Sequence, residues 1–175
     1  MKQKKITLES GRTVNIVSLD SGDVDRLYNM FSSMSEEALR WSMAPYKRER
    51  IKTWLHTPTL MQLAAEHDDE IVGFVCIETF THPRRKGNGY LGTYLHQEFR
   101  GTGLGSIMTG LILKVAEEQG VHKVNQELVV DDEYWVRILQ EHGFDVEGTR
   151  RDAFHGGDGR YHDTLMMGKI LDDET

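Results

Sequence analysis

Arg100-Gly101-Thr102-Gly103-Leu104-Gly105-Ser106 is the stretch whose residue types most directly imply chemistry. Three glycines at alternate positions leave backbone amides open to close approach by a ligand. A periodic apolar segment follows at once, so the loop leads into a helix. The first N–H groups of that helix lack intrahelical partners, and its dipole is positive at that end. Together these features form a cradle for a diphosphate. Two familiar phosphate loops do not match. No Gly-Lys-Ser or Gly-Lys-Thr occurs, and the pattern G-x-G-x-x-G would need glycine where Ser106 or Met108 stands. Taken alone, the glycines equally allow a tight strand-to-helix turn that binds nothing.

Other side chains carry weaker signals. Val72, Phe74, Cys76 and Glu78 alternate in an apolar strand and are expected on one face. Glu78 then reads either as a base, its pKa raised by partial burial, or as a strand-end glutamate facing water. Cys76 has no neighbouring histidine and reads as a small buried hydrophobe rather than a nucleophile. His155 and His162, with Asp158 and Asp163, match no usual ligand spacing, so no metal is expected. Arg84-Arg85-Lys86 reads as a solvated loop. Trp41, Tyr46 and Trp54 suit either a pocket wall or a core.

The elements that must position these groups follow from the periodicity. Residues 13–19 read as a strand. Val24, Leu27, Tyr28 and Phe31 mark one buried helix face after an Asp20-Ser21 cap. Residues 35–41 form a short helix, and Pro45 opens a third that carries Ile51, Trp54 and Leu55. Residues 60–66 and 71–80 are strands joined by a turn at His67-Asp68-Asp69-Glu70. A loop and a strand over 89–97 precede the glycines. The helix after them carries Ile107, Met108, Leu111, Ile112 and Val115, and Gly120 stops it. A strand over 121–130, a helix capped by Asp131 or Asp132, and strands over 144–151 and 161–171 complete the chain. This order predicts an α/β (α+β) fold in one domain over residues 1–175, a mixed central sheet flanked by helices.

Composition agrees. The chain has 175 residues, 38% hydrophobic and 28% charged, which suits a packed domain. One cysteine excludes an intrachain disulfide and suits a reducing cytoplasm, the expected location. No apolar leader is visible at the N-terminus, and no uncharged stretch reaches the roughly 18–20 residues that span a bilayer. The net charge is −7, which argues against nucleic acid as a partner. Residues 1–100 carry +1 and residues 101–175 carry −8. Glu127, Asp131, Asp132 and Glu133 lie in the acidic part, a modest argument for a cationic partner.

Residues 95–106 resemble the acetyl-CoA motif of the GNAT superfamily of N-acetyltransferases, [Gln/Arg]-x-x-Gly-x-[Gly/Ala], here Arg100, Gly103 and Gly105. Residues 132–144, ending in Gly143-Phe144, resemble a second family segment. Arg160-Tyr161-His162-Asp163 with Met166-Met167-Gly168-Lys169 resembles its closing strand. The match covers roughly residues 70–170. The resemblance implies an enzyme that moves an acetyl group from acetyl-CoA to an amine by direct attack in a ternary complex. It implies cofactor contacts at Tyr94, Leu95, Arg100, Gly101, Thr102, Gly103, Leu104, Gly105, Ser106 and Asp132, with a Cβ at Gly103 or Gly105 obstructing the phosphates. Glu78 resembles the strand-borne carboxylate that takes the amine's proton.

The chain departs from the family pattern in two places. Leu139 stands where the family's acidic tyrosine is expected, and Asp132 where it has asparagine. Tyr134, one turn from Asp132, is the substitute acid or a packing residue. A small amine (polyamine, amino acid or antibiotic-like) is the favoured acceptor. A protein lysine or N-terminus is the alternative, and a non-catalytic acetyl-CoA sensor is an alternative of another class. No metal, nucleic acid or membrane partner is expected, and a homodimer is compatible with the family.

Overall fold

The structure is a computed structural model that describes residues 4–171. Eight strands form one sheet, β1 (Lys4–Thr7), β2 (Thr13–Val17), β3 (Leu60–His67), β4 (Glu70–Thr79), β5 (Asn88–Leu95), β6 (Lys123–Val129), β7 (Asp145–His155) and β8 (Tyr161–Ile170). Five helices accompany them, α1 (Val24–Ser33), α2 (Glu36–Leu39), α3 (Arg48–His56), α4 (Leu104–Glu118) and α5 (Glu133–Glu141). The spatial order is β1-β2-β3-β4-β5-β6-β8-β7. All neighbouring pairs are antiparallel except β5 with β6. The mixed sheet with flanking helices is the one that the element order predicts.

Local chemistry explains most of the boundaries. Asp20 and Asp23 form a reciprocal capping box at the turn that leads into α1. Ser35 accepts the Ala38 amide and starts α2, and Asp132 accepts from Trp135 and starts α5. Gly120 and Gly143, both with φ between +70° and +85°, end α4 and α5.

Two apolar clusters lie on opposite faces of the sheet. Leu104, Met108 and Ile112 of α4 and Trp135, Ile138 and Leu139 of α5 pack on Val75, Ile77, Leu91 and Leu95. On the other face Leu27, Met30 and Phe31 of α1 and Ile51 of α3 pack on Ala64, Phe74 and Cys76.

The structure departs from the sequence reading at several points. β1 is an added strand, only four residues long and mostly exposed, so it leaves no apolar pattern. α3 begins at Arg48 and not at Pro45. β7 continues to His155 through an irregularity between Arg150 and Phe154, where Asp152 takes φ 51°. Val72 does not share a face with Phe74 and Cys76. Ala65 pairs with Gly73 and Glu66 with Ile71, so Val72 is the extra residue of a β-bulge. The bulge turns Val72 into the α4-side cluster, while Ile71, Phe74 and Cys76 belong to the other.

Candidate active site

The site is built where β5 and β6 part. Their parallel pairing is confined to Asn88, Gly89 and Tyr90 with Lys123, Val124 and Asn125. Beyond it β5 stays on β4, up to Leu95 opposite Gly73, and β6 stays on β8, up to Val129 opposite Thr164. Each strand keeps its outer partner, so a wedge opens between them. A cavity of about 150 Å³ occupies the wedge. Leu91 to Leu95 and Gln126 to Leu128 form its sides, and Arg100, Asp132, Trp135, Trp41, Met43 and Tyr46 also line it.

The glycine loop adjoins this wedge. Gly101 and Gly103 have φ +73° and +82°, and a Cβ on either would meet nothing within 4 Å. Gly103 is the N-cap of α4 and offers no side-chain oxygen, so no capping side chain covers the helix's first amides. The loop's side chains turn away or are already bonded. Thr102 donates its hydroxyl to the Phe99 carbonyl at 2.6 Å, Ser106 Oγ bonds His142 Nε2 at 2.9 Å, and Leu104 is fully buried. What the loop presents outward is backbone.

Gly105 behaves differently from the expectation that its Cβ would obstruct phosphates. That Cβ would lie 2.9 Å from the Tyr134 hydroxyl, 3.1 Å from Ile138 and 3.3 Å from Trp135. The missing side chain lets α4 approach α5. Gly105→Ala should therefore destabilise the fold by about 1–3 kcal/mol through overpacking. Urea unfolding checks this, and an unchanged midpoint would contradict the packing role.

Arg100 ties the loop to its surroundings. Its Nη2 donates to the Ala38 carbonyl at 2.9 Å, its guanidinium lies 5.2 Å from the Tyr134 ring centre, and its buried Nε has no partner. Asp132 lines the wedge. Burial raises its pKa, against the Trp135 backbone bond and Arg100, which lower it. Burial also raises the Tyr134 pKa, against Arg100 and a hydrogen bond at the Gly101 backbone. The Tyr134 hydroxyl accepts a hydrogen bond from the Gly101 backbone and faces α4 at Gly105, so it sits beside the glycine loop. Leu139, at the family's tyrosine position, is fully buried in the α4-side core.

The wall of the wedge on the α1 and α3 side of the sheet is aromatic. Tyr94 packs against Phe31 at 5.1 Å, Tyr46 at 5.4 Å and Trp54 at 6.0 Å between ring centres. Burial, with Tyr46 beside it, holds the Tyr94 hydroxyl well above its usual pKa. Cys76 lies on the same face, its thiol pushed up to about 12 by burial, so it stays neutral and unreactive. Glu78 is exposed and stands opposite Tyr90, the last β5 residue paired to β6. It is therefore one strand away from the point where the wedge opens, on the aromatic side.

Gln97 secures the roof over the wedge. Its Oε1 accepts from the Ser35 amide at 3.0 Å and its Nε2 donates to the Ser33 carbonyl at 3.2 Å. Trp41 reaches across to the β7–β8 hairpin, 4.8 Å from His162 and 6.2 Å from Phe154. His162 bonds Asp131 through Nδ1 and Asp158 through Nε2, each at 3.1 Å. Asp158 first, then Asp131, raise the His162 pKa against its desolvation, while the Arg160 backbone and His162 lower that of Asp158.

The His162 contribution to stability is complete below the usual histidine value of about 6.5 and fades as pH rises through the raised value. The Asp158 contribution is present above the usual aspartate value and fades as pH falls through the lowered one. An NMR titration of His162 should show a midpoint above about 6.5 that falls in Asp158→Asn. A midpoint already at or below that value would remove the ion pairs from the account. Among the described residues no cluster of three or more His, Cys, Asp or Glu is arranged to hold a metal ion.

The acidic residues beside the site are less available than their number suggests. Glu127 is held by Arg150 at 3.0 and 3.1 Å and by the Thr164 hydroxyl at 2.5 Å. Asp131 serves His162 and Asp132 caps α5. Gln126, which lines the wedge, and Gln97, which ties the end of β5 to Ser33 and Ser35, carry no motif in the sequence. The signal for Gln126 is a lone polar residue in the apolar row of Val124 and Leu128.

Known proteins resemble this chain in family sequence and in fold. The family model described as Acetyltransferase (GNAT) family matches residues 24–144. The L-amino acid N-acetyltransferase AaaT of Escherichia coli (strain K12) is 23% identical over 114 residues, 65% of this chain and 70% of that protein. A ribosomal-protein-alanine N-acetyltransferase from Brucella melitensis has TM-score 0.78 at 22% identity, over 89% of this chain and 98% of its own. The yncA putative acetyltransferase from Salmonella typhimurium, solved with its cofactor acetyl-CoA, has TM-score 0.80 at 16% identity, over 93% and 96%.

Proposed function

The chain belongs to the acetyltransferase (GNAT) family of acetyl-CoA-dependent acyltransferases, and from that premise we propose that it acetylates the primary amine of a small acceptor. The observation that carries this reading is the wedge between β5 and β6, lined by Arg100 of the glycine loop and by Met34, Trp41, Met43 and Tyr46. The residues present suit acetyl-CoA. A backbone cradle at Gly101–Ser106 meets its diphosphate, and the edge of β5 that faces β6, unpaired beyond Tyr90, suits its amide-bearing arm. Bound there, it supplies an activated acetyl thioester.

The chain's own groups supply the rest. An amide of the parted β5 polarises the carbonyl of the acetyl group, a fixed donor aimed at developing charge. An alkylamine with a pKa near 10 is mostly protonated at neutral pH, so a base must take its proton. Glu78 has that role, on the aromatic side where β5 leaves β6. Arg100 and Tyr134 hold the glycine loop and Asp132 the start of α5. A thiolate is a stable enough anion to depart without a tyrosine beside it.

A small acceptor is supported by the size of the cavity and by its Met34, Leu39, Trp41 and Met43 walls, and by the relative that acts on L-amino acids. The test is thiol release from acetyl-CoA with a panel of amino acids, polyamines, and peptides bearing a lysine or a free N-terminus. Turnover on small amines supports the reading. Turnover on peptides alone overturns the acceptor class, and tight acetyl-CoA binding with no turnover on any amine makes the protein a sensor.

A further inference from the structure

We infer that the side-chain carbonyl of Gln126 is a hydrogen-bond acceptor for an amide N–H of the pantetheine arm of acetyl-CoA, an assignment that rests on the cofactor reading above.

Gln126 is the first residue of β6 beyond its pairing with β5. Its neighbours on the same face, Val124 and Leu128, belong to the apolar core. A leucine at this position would extend that core and leave no polar group to satisfy. Gln126 is 93% buried, at 7% exposure. Its Nε2 donates to the Thr93 hydroxyl across the wedge at 3.2 Å, while its Oε1 has no partner. An unmet carbonyl is unfavourable in the free protein and becomes favourable only when a donor arrives.

The second observation comes from the same cavity. Arg100 also lines it, and its buried Nε is an unmet donor. Gln126 Oε1 and Arg100 Nε are the two buried side-chain atoms without partners among the described residues. One acceptor and one donor along a single cleft suit a ligand that carries amide groups along a narrow chain. The pantetheine arm has two such amides. An acceptor amine alone would not need the donor, and the adenine nucleotide alone would not reach between the strands. Insertion of the arm parts Gln126 from Thr93, which frees the whole carboxamide for the ligand.

The experiment is calorimetric titration of the full chain with CoA and with adenosine 3′,5′-bisphosphate, which keeps the nucleotide end and lacks the arm. Gln126→Met preserves length and removes the carboxamide. It should weaken CoA about tenfold, leave the bisphosphate within twofold, and leave the melting temperature of the free protein unchanged or higher. CoA affinity within twofold of wild type would overturn the assignment, because a buried water then satisfies the carbonyl. Equal weakening of both ligands would also overturn it, since the nucleotide end does not touch Gln126.

A ligand-side arm keeps the test independent of folding. Wild-type protein should bind a CoA analogue with methylene in place of each pantetheine amide nitrogen more weakly than CoA, and Gln126→Met should narrow that difference. An undiminished difference in the variant overturns the proposal. Failure of the wild-type protein to bind CoA at all is a separate result and removes the cofactor reading itself.

Discussion

Glu78→Gln should lower kcat by about a hundredfold and leave the affinity for acetyl-CoA unchanged, since general-base catalysis commonly contributes 10²–10⁴. The substitution preserves shape and removes only the ability to accept a proton. Glu78 is exposed and lies outside both apolar clusters, so stability should change by no more than about 0.5 kcal/mol. The position is what makes the prediction specific. Glu78 faces Tyr90, where β5 and β6 begin to separate, whereas Glu127 is engaged by Arg150 and Thr164. Steady-state kinetics with the best amine from the panel, across pH, provide the measurement. Full activity of the variant at every pH would remove Glu78 from the mechanism.

Gly103→Val should weaken acetyl-CoA binding by about a hundredfold, equivalent to roughly 3 kcal/mol. Gly103 has φ +82°, where a β-branched residue is strained by about 1–3 kcal/mol. The protein itself does not clash with the added side chain, since a Cβ there meets nothing within 4 Å. The new methyl groups enter the space that a diphosphate would occupy above the α4 amides. The two glycines of the family motif thus separate by mechanism. Gly105 acts on stability through Tyr134 and Ile138, and Gly103 on binding through open backbone. Isothermal titration of the Gly103→Val variant, with melting as the control for folding, decides the matter. Affinity within threefold of wild type would mean that the loop does not cradle the ligand.

The charge pattern changes meaning once partners are known. The net −8 of residues 101–175 suggests an acidic face for a cationic acceptor. In the structure Glu127, Asp131 and Asp132 each already serve a neighbour, through Arg150, His162 and the start of α5. The wedge is lined by both kinds of surface, Met34, Leu39, Trp41 and Met43 beside Glu37, Thr93, Gln126 and Glu127, so the charge pattern by itself does not select the acceptor.

Much of this protein is legible in its sequence. The apolar periods of α1, α4 and α5, the caps at Asp20, Ser35 and Asp132, the stops at Gly120 and Gly143, and the loop at Arg100–Ser106 are local patterns. They depend on a residue's own torsions and on neighbours three or four positions away, so the chain alone determines them. The mixed order of strands and helices likewise determines a sheet with helices on both faces.

Only the tertiary structure decides what these elements enclose. The parting of β5 from β6 results from each strand staying with its outer partner, a competition between pairings far apart in sequence. A bulge at Val72 alters which side chains share a face, because a one-residue slip exchanges the two sides of a strand. Tyr134 and Gly105 meet because two helices pack together, and Gln126 meets Thr93 because β5 and β6 lie side by side across the wedge. Local sequence therefore specified the glycine loop and the helix after it, whereas long-range pairing decided which strands and rings stand beside them.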